Sequence, residues 1–328
     1  MMTIARTRPP AKLNLFLEIP ARRHDGYHEI DTVMTAIDWR DELEIRSIAQ
    51  PRIELTTQWI PSAAAVGRQL GVDVGQDGIP ALLRIPTDES NLVSRALAGF
   101  RDRFGIATGF RVRLGKRIPA GAGMGGASSD AAHAISCAAQ IHQIPQGSAE
   151  LHQLAASIGS DVPFFLPPLD AVDQGYSAAL ARGRGEKLSP IATRTSIHFV
   201  VAFPNFSLST ASVYGALRVP KVAIDSAAFL AAFGAGDKLE MGQTMFNRLA
   251  EPALEIMPRL GELIESLWQS GLRPCQLTGS GSACFGIAED AEHATDVVKR
   301  LKIELQPGVL LQAAQTVSAA ASIEIEPS

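Results

Sequence analysis

The stretch IPAGAGMGGASSDAA, residues 118–132, decides how this chain is read. From Gly121 it spells Gly-x-Gly-x-x-Gly, the spacing of a dinucleotide fingerprint. From the same glycine it spells Gly-x-x-x-x-Gly-x-Ser, a P-loop with Ala127 in the lysine's place. The P-loop reading fails on chemistry, because that lysine must reach the β and γ phosphates. The dinucleotide reading fails on context. A strand entering such a loop is central, parallel and apolar throughout, whereas GFRVRLGKRIP (109–119) sets Phe110, Val112 and Leu114 against Arg111 and Arg113. No acidic residue closes a second strand to hold a ribose, since Glu150 falls within a predicted helix. What remains is a run of small residues leading through Ser128, Ser129 and Asp130 into a helix. Its free amides and positive dipole end suit an anion, and a tight helix-packing turn would use the same residues.

Outward from the loop, the first 56 residues read as strands. AKLNLFLEI alternates Leu13, Leu15 and Leu17 with Lys12, Asn14 and Phe16, and DELEIRSI alternates Leu43 and Ile45 with Glu44 and Arg46. Residues 57–85 carry little pattern and read as a loop or partly ordered excursion. DESNLVSRALAGFRDRFG (88–105) predicts a helix capped by Asp88 or Ser90 and closed by Gly105. After the glycine loop, Ser128 or Ser129 is the expected cap of a helix through SDAAHAISCAAQIHQI, and SAELHQLAASIG predicts a second helix ending at Gly159. Residues 167–192 read as an irregular crossover. From 196 onward strands (SIHFVVAFP, PCQLTGSGSACFGIA, VLLQAAQTV) alternate with helices (AFLAAFG, LGELIESLWQSG, ATDVVKRLKIEL), as in an α+β domain.

At 328 residues the chain suggests two domains, expected at 1–166 and 167–328. A net charge of -4 provides no basic field for nucleic acid or anionic lipid, though a local pocket for a small anion remains open. The N-terminal stretch lacks a signal-peptide core and no apolar run approaches membrane-spanning length, so a cytoplasmic protein is expected. Cys137, Cys275 and Cys284 show no Cys-x-x-Cys spacing and read as small buried apolar residues.

Two distant segments join the glycine loop in sequence order: PAKLNLFL (10–17) and LTGSGSACFGI (277–287). Together the three resemble the three motifs of the GHMP kinase superfamily. RRHDGYHEIDTVM, NLVSRAL, GSDVPFFL and NFSLSTASVY further resemble members whose acceptor alcohol carries a cytidine diphosphate. The resemblance implies an α+β fold with two domains: an N-terminal α/β domain of ribosomal-S5-like topology and a ferredoxin-like C-terminal domain, with the site between them. It implies ATP and Mg2+ as cofactors, a small-molecule substrate with a cytidine diphosphate moiety, and a monomer or weak homodimer.

For the site, the resemblance implies that Gly121, Gly123, Gly125 and Gly126 let the backbone approach a triphosphate. The hydroxyls of Ser128 or Ser129 would take phosphate oxygen or help hold magnesium. Asp161 matches the catalytic aspartate and Lys12 its partner lysine; otherwise Asp161 caps the turn into VPFF and Lys12 is a solvated strand residue. Tyr27 and His28 match residues that hold the cytosine, with Tyr214 as a second stacking face; otherwise Tyr27 and His28 are a half-buried turn pair and Tyr214 is core. Asn14 and Thr210 would be polar substrate contacts. Gly279, Ser280 and Gly281 would form a turn beside the phosphate loop, or else a hairpin without a ligand. The sequence departs from the family at Ala127, where a further glycine is usual, at Ser94, and in a longer stretch after PFFL.

Overall fold

The computed structural model describes residues 3–73, 75, 77–169, 176–192 and 195–327. Its strands build three sheets. The first contains β1 (Thr3–Thr7), β4 (Glu42–Ile48), β5 (Ile53–Trp59), β6 (Gly109–Lys116) and β14 (Ile323–Pro327), in the order β14-β1-β4-β6-β5. The second contains β2 (Pro10–Arg22), β3 (His28–Arg40), β7 (Ala178–Gly183), β8 (Lys187–Ile191) and β10 (Phe246–Asn247), in the order β10-β2-β3-β7-β8. The third is antiparallel, with β9 (His198–Pro204), β11 (Cys275–Leu277), β12 (Cys284–Ala288) and β13 (Val309–Gln315) in the order β11-β12-β9-β13. The α+β class holds. The sheets, however, cross residue 166: the β7–β8 hairpin extends the sheet of β2 and β3, and β14 pairs with β1.

Strand β6 is half-exposed as its alternation requires, with Arg111 and Arg113 outward and Phe110, Val112 and Leu114 in the core. Over that core lie α2 (Leu92–Phe104), α3 (Gly126–Ile141) and α4 (Ala149–Ile158). Helix α3 is buried almost all round because Ala131, Ala132, Ala134, Ala138 and Ala139 let its neighbours close in. It therefore sets the glycine loop at its start on a rigid support. Strand β9 is buried on both faces. Phe199, Val201 and Phe203 join Leu13, Leu15 and Phe16 in one core, while Val200 and Ala202 pack with residues of α9 (Arg259–Gln269) and α10 (Ala291–Leu305).

Several local expectations change. Residues 57–85 contain the end of β5 and α1 (Ala63–Leu70), whose Val66 and Leu70 are buried. The cap of α2 is Asn91, whose side chain accepts from the Val93 amide, while Asp88 forms its own turn with Ser90. Helix α3 begins one turn earlier than a serine cap would allow, with Gly125 at the cap position and no side-chain cap. The 167–192 stretch is not irregular where it is described, since it holds the β7–β8 hairpin; residues 170–175 lie outside the described residues. Short helices α5 (Thr210–Ala216), α7 (Lys238–Thr244) and α8 (Ala250–Ile256) appear beside α6 (Ala227–Ala235). Cys137 and Cys284 are buried as expected, Cys275 only partly, and all three are free.

Candidate active site

Strand β2 carries Lys12 and Asn14 toward the glycine loop. The Lys12 amide donates to the Met124 carbonyl at 2.9 Å, which stitches strand to loop. Lys12 Nζ donates to Asn14 Oδ1 at 2.5 Å and lies 3.6 Å from Asp161 Oδ2. Asn14 Nδ2 donates to Thr32 Oγ1 at 2.9 Å, and that hydroxyl donates to the Phe16 carbonyl at 2.6 Å. The relay turns the Asn14 oxygen toward Lys12. Burial lowers the proton affinity of Lys12, and the charge of Asp161 works against that loss. Asp161 precedes a short 3-10 turn, Val162–Phe165, and makes no side-chain cap. Its carboxylate instead faces Lys12, with 35% of the side chain exposed.

The glycine loop and the turn at 278–282 pack directly on one another. Thr278 Oγ1 accepts from the Asn14 amide at 3.0 Å and donates to the Gly123 carbonyl at 3.4 Å, and the Ala283 amide donates to the Ala122 carbonyl at 3.1 Å. A Cβ on Gly123 would stand 2.2 Å from the Thr278 carbonyl oxygen, and one on Gly125 3.0 Å from Lys12 Cγ. Glycine at these two positions, both with positive φ, is thus demanded by protein packing before any phosphate is considered. Asn247 Nδ2 holds the turn by donating to the Leu277 and Gly279 carbonyls.

The first helical bond of α3 runs from the Ser129 amide to the Gly125 carbonyl. The amides of Gly126, Ala127 and Ser128 therefore have no acceptor within the helix. Ser128 is half-buried, Gly121 and Ala127 are exposed, and Gly126 is buried against Ile118. Ser129 is corrected: it is wholly buried, its carbonyl accepting from His133 Nδ1 at 2.8 Å, so its hydroxyl has no path to a phosphate.

A cavity of about 640 Å³ gathers most of the expected residues. Lys12, Asn14 and Asp161 line it, with Gly123 and Gly125 of one loop and Gly279 and Ser280 of the other. Tyr27, His28, Thr210 and Tyr214 line it as well, and the Thr210 and Ser280 hydroxyls meet at 2.9 Å. Gly121, Gly126, Ser128, Ser129 and Gly281 are not in its lining; Gly281 faces Leu277 and Leu208. Tyr27 is 55% exposed, whereas Tyr214 packs on His28, ring centroids 5.1 Å apart. Burial, aided by the charge of Asp161, pushes the Tyr214 phenol up to about 12. The ring beside Tyr214 is thus His28, and the group over Tyr27 is the Arg184 guanidinium at 5.1 Å. Sequence reasoning missed Arg184, Thr32, Thr278 and Asn247. Thr278 lies inside the quoted third segment, and Arg184 sits in Gly183-Arg184-Gly185-Glu186, a turn signal between two short alternating runs.

A second charged cluster lies behind the loop. Lys116 Nζ bonds Asp41 and, at 2.6 Å, Asp130 Oδ2; all three are buried. Asp41 Oδ1 also accepts from the Arg117 and Ile118 amides. The cluster ties the residues entering the loop to the first turn of α3. Among the described residues, no group of three or more His, Cys, Asp or Glu is arranged to hold a metal ion, and no helix is long and apolar enough to cross a membrane.

The sequence profile of the GHMP kinases N terminal domain matches residues 91–167, and that of the GHMP kinases C terminal domain matches residues 229–306. A 4-diphosphocytidyl-2-C-methyl-D-erythritol kinase of Rhodopirellula baltica is 44% identical over 313 residues, spanning 93% of each chain. A crystal structure of 4-(cytidine 5'-diphospho)-2C-methyl-D-erythritol kinase matches with a TM-score of 0.70 and 30% identity, covering 95% of this chain and 100% of that one. A homoserine kinase from Cytophaga hutchinsonii matches with a TM-score of 0.69 at 16% identity, over 99% of this chain and 97% of its own, and shares the fold alone.

Proposed function

Since the chain belongs to the GHMP kinases, we propose that it transfers the γ-phosphoryl group of ATP to the 2-hydroxyl of 4-diphosphocytidyl-2-C-methyl-D-erythritol, a step of non-mevalonate isoprenoid precursor synthesis. The observation that carries this reading is the Lys12–Asp161 pair, 3.6 Å apart in a cavity that also holds an exposed tyrosine and the glycine loop.

The chemistry follows from that pair. Asp161, partly open to solvent, orients the attacking hydroxyl and accepts its proton as the new O–P bond forms and the bond from the γ phosphorus to the bridging oxygen breaks, releasing ADP. Lys12, anchored by Asn14, holds a positive charge against the transferring phosphoryl group. The free amides at the start of α3 and the dipole of that helix receive the triphosphate, and Tyr27 offers an exposed ring to the cytosine. Magnesium fits this donor set as an ion carried by the phosphates, with the Asp161 carboxylate and the Ser128 hydroxyl as the protein oxygens available to it. Bound there it would neutralise charge on the β and γ phosphates.

The test is ADP formation by the purified protein with magnesium, ATP and one acceptor at a time. The expected result is turnover with 4-diphosphocytidyl-2-C-methyl-D-erythritol and none above background with homoserine or mevalonate. Turnover of either of the latter in its place would overturn the substrate assignment, and inertness toward all three would overturn the kinase reading.

A further inference from the structure

We propose that Arg184 binds the diphosphate of the acceptor substrate and so sets the enzyme's preference for a nucleoside diphosphate over a bare alcohol. The assignment rests on the reading above. Among the described residues two cations line the cavity, Lys12 and Arg184. Lys12 stands beside Asn14 and Asp161, at the end where the phosphoryl group is transferred. Among the described residues no carboxylate lies within ion-pair distance of the Arg184 guanidinium, although neighbouring arginines have such partners: Arg23 holds Asp25 and Glu29, and Arg182 holds Asp31. Asp25 feels the charge of Arg184 but is bonded to Arg23 and to the Tyr27 amide.

The position of Arg184 matches the order of groups along the substrate. At one end the guanidinium lies 5.1 Å from the centroid of the Tyr27 ring. At the other end the next residue, Gly185, packs on Ser160 and Asp161, and a Cβ there would lie 3.9 Å from Asp161 Oδ1. A molecule with its base on Tyr27 and its reacting hydroxyl at Asp161 must run its diphosphate through the space between, beside Arg184. The turn itself is fixed: the Arg184 amide donates to Glu186 Oε2 at 2.6 Å and the Gly185 amide to the Arg182 carbonyl at 3.2 Å. A planar guanidinium can bridge two phosphate oxygens, which a lysine in the same place would do less well.

The experiment compares wild type, Arg184→Met and Arg184→Lys for turnover, and for competition by CDP and by cytidine against the acceptor. Arg184→Met is expected to raise KM for the acceptor about 10- to 100-fold, the scale of lost charge-assisted hydrogen bonds. Its kcat should stay within about threefold, as for an interaction made equally in ground and transition states. The advantage of CDP over cytidine should collapse in Arg184→Met while cytidine binds as before, and Arg184→Lys should restore part of it. An unchanged KM with the CDP advantage intact would overturn the assignment. So would an equal loss for cytidine and CDP, which would mean that Arg184 only supports Tyr27, or a fall in kcat with KM unchanged. Wild type that fails to use the acceptor at all would instead overturn the proposed function, before any variant is compared.

Discussion

Lys12 and Lys116 are alike in burial, with 5% and 4% of their side chains exposed, and both face aspartates beside the same glycine loop. They differ in what surrounds the carboxylates. Around Lys116 the pairs are tight and sealed, with Asp41 and Asp130 at 0% and 2% exposure. Around Lys12 the pair is stretched to 3.6 Å, and its aspartate opens on the cavity. Burial works against the ammonium at both lysines; at Lys116 two aspartates outweigh it, and at Lys12 one does not. A sealed pair spends its electrostatics on holding the chain together; an open one keeps them for a ligand.

The largest effect expected is at the open pair. Asp161→Asn should lower kcat by about 10²- to 10⁴-fold, the usual worth of a positioned base, measured by ADP release at saturating substrates. At the sealed cluster, Lys116→Met leaves the buried Asp41–Asp130 pair without its cation and should cost about 3–5 kcal/mol of folding stability, read by urea unfolding. Next comes a pH effect. Burial and the charge of Asp41 push Asp130 up to about 8 despite the opposing pull of Lys116, against an ordinary 3.8. The folded protein then keeps a proton that the unfolded chain has lost, so this contribution to stability falls as pH rises from 3.8 through about 8. Asp130→Asn should flatten that slope, and stability that instead climbs across the window because of Asp130 would contradict the assignment. The smallest effect is at the mouth of the cavity, where Tyr27→Ala should raise KM for the acceptor about tenfold, as expected for loss of one stacked base, with an unchanged melting temperature because the ring is 55% exposed.

The legible parts of the molecule were those in which one residue's chemistry is enough. Half-exposure of β6 followed from Arg111 and Arg113, and the end of α4 from Gly159. Lys12, Asn14 and Asp161 were legible only through the family resemblance, and they line one cavity. Illegible parts depend on partners far along the chain. Nothing local says that Gly123 lacks a side chain because Thr278 presses on it, or that Ser129 turns inward beneath His133. The β7–β8 hairpin hid because Ala178, Ala179 and Ala181 are small and its pairing partner is β3, more than a hundred residues earlier. Arg184 was hidden with it.

The most direct test of the contrast between the two pairs is to measure kcat and unfolding free energy for Lys12→Met and Lys116→Met side by side. Removing Lys12 leaves Asp161 partly solvated, so the account predicts a collapse of kcat with stability within about 1 kcal/mol of wild type, beside the 3–5 kcal/mol loss at Lys116. Equal destabilisation by the two substitutions, or a Lys12→Met enzyme that keeps wild-type kcat, would contradict it.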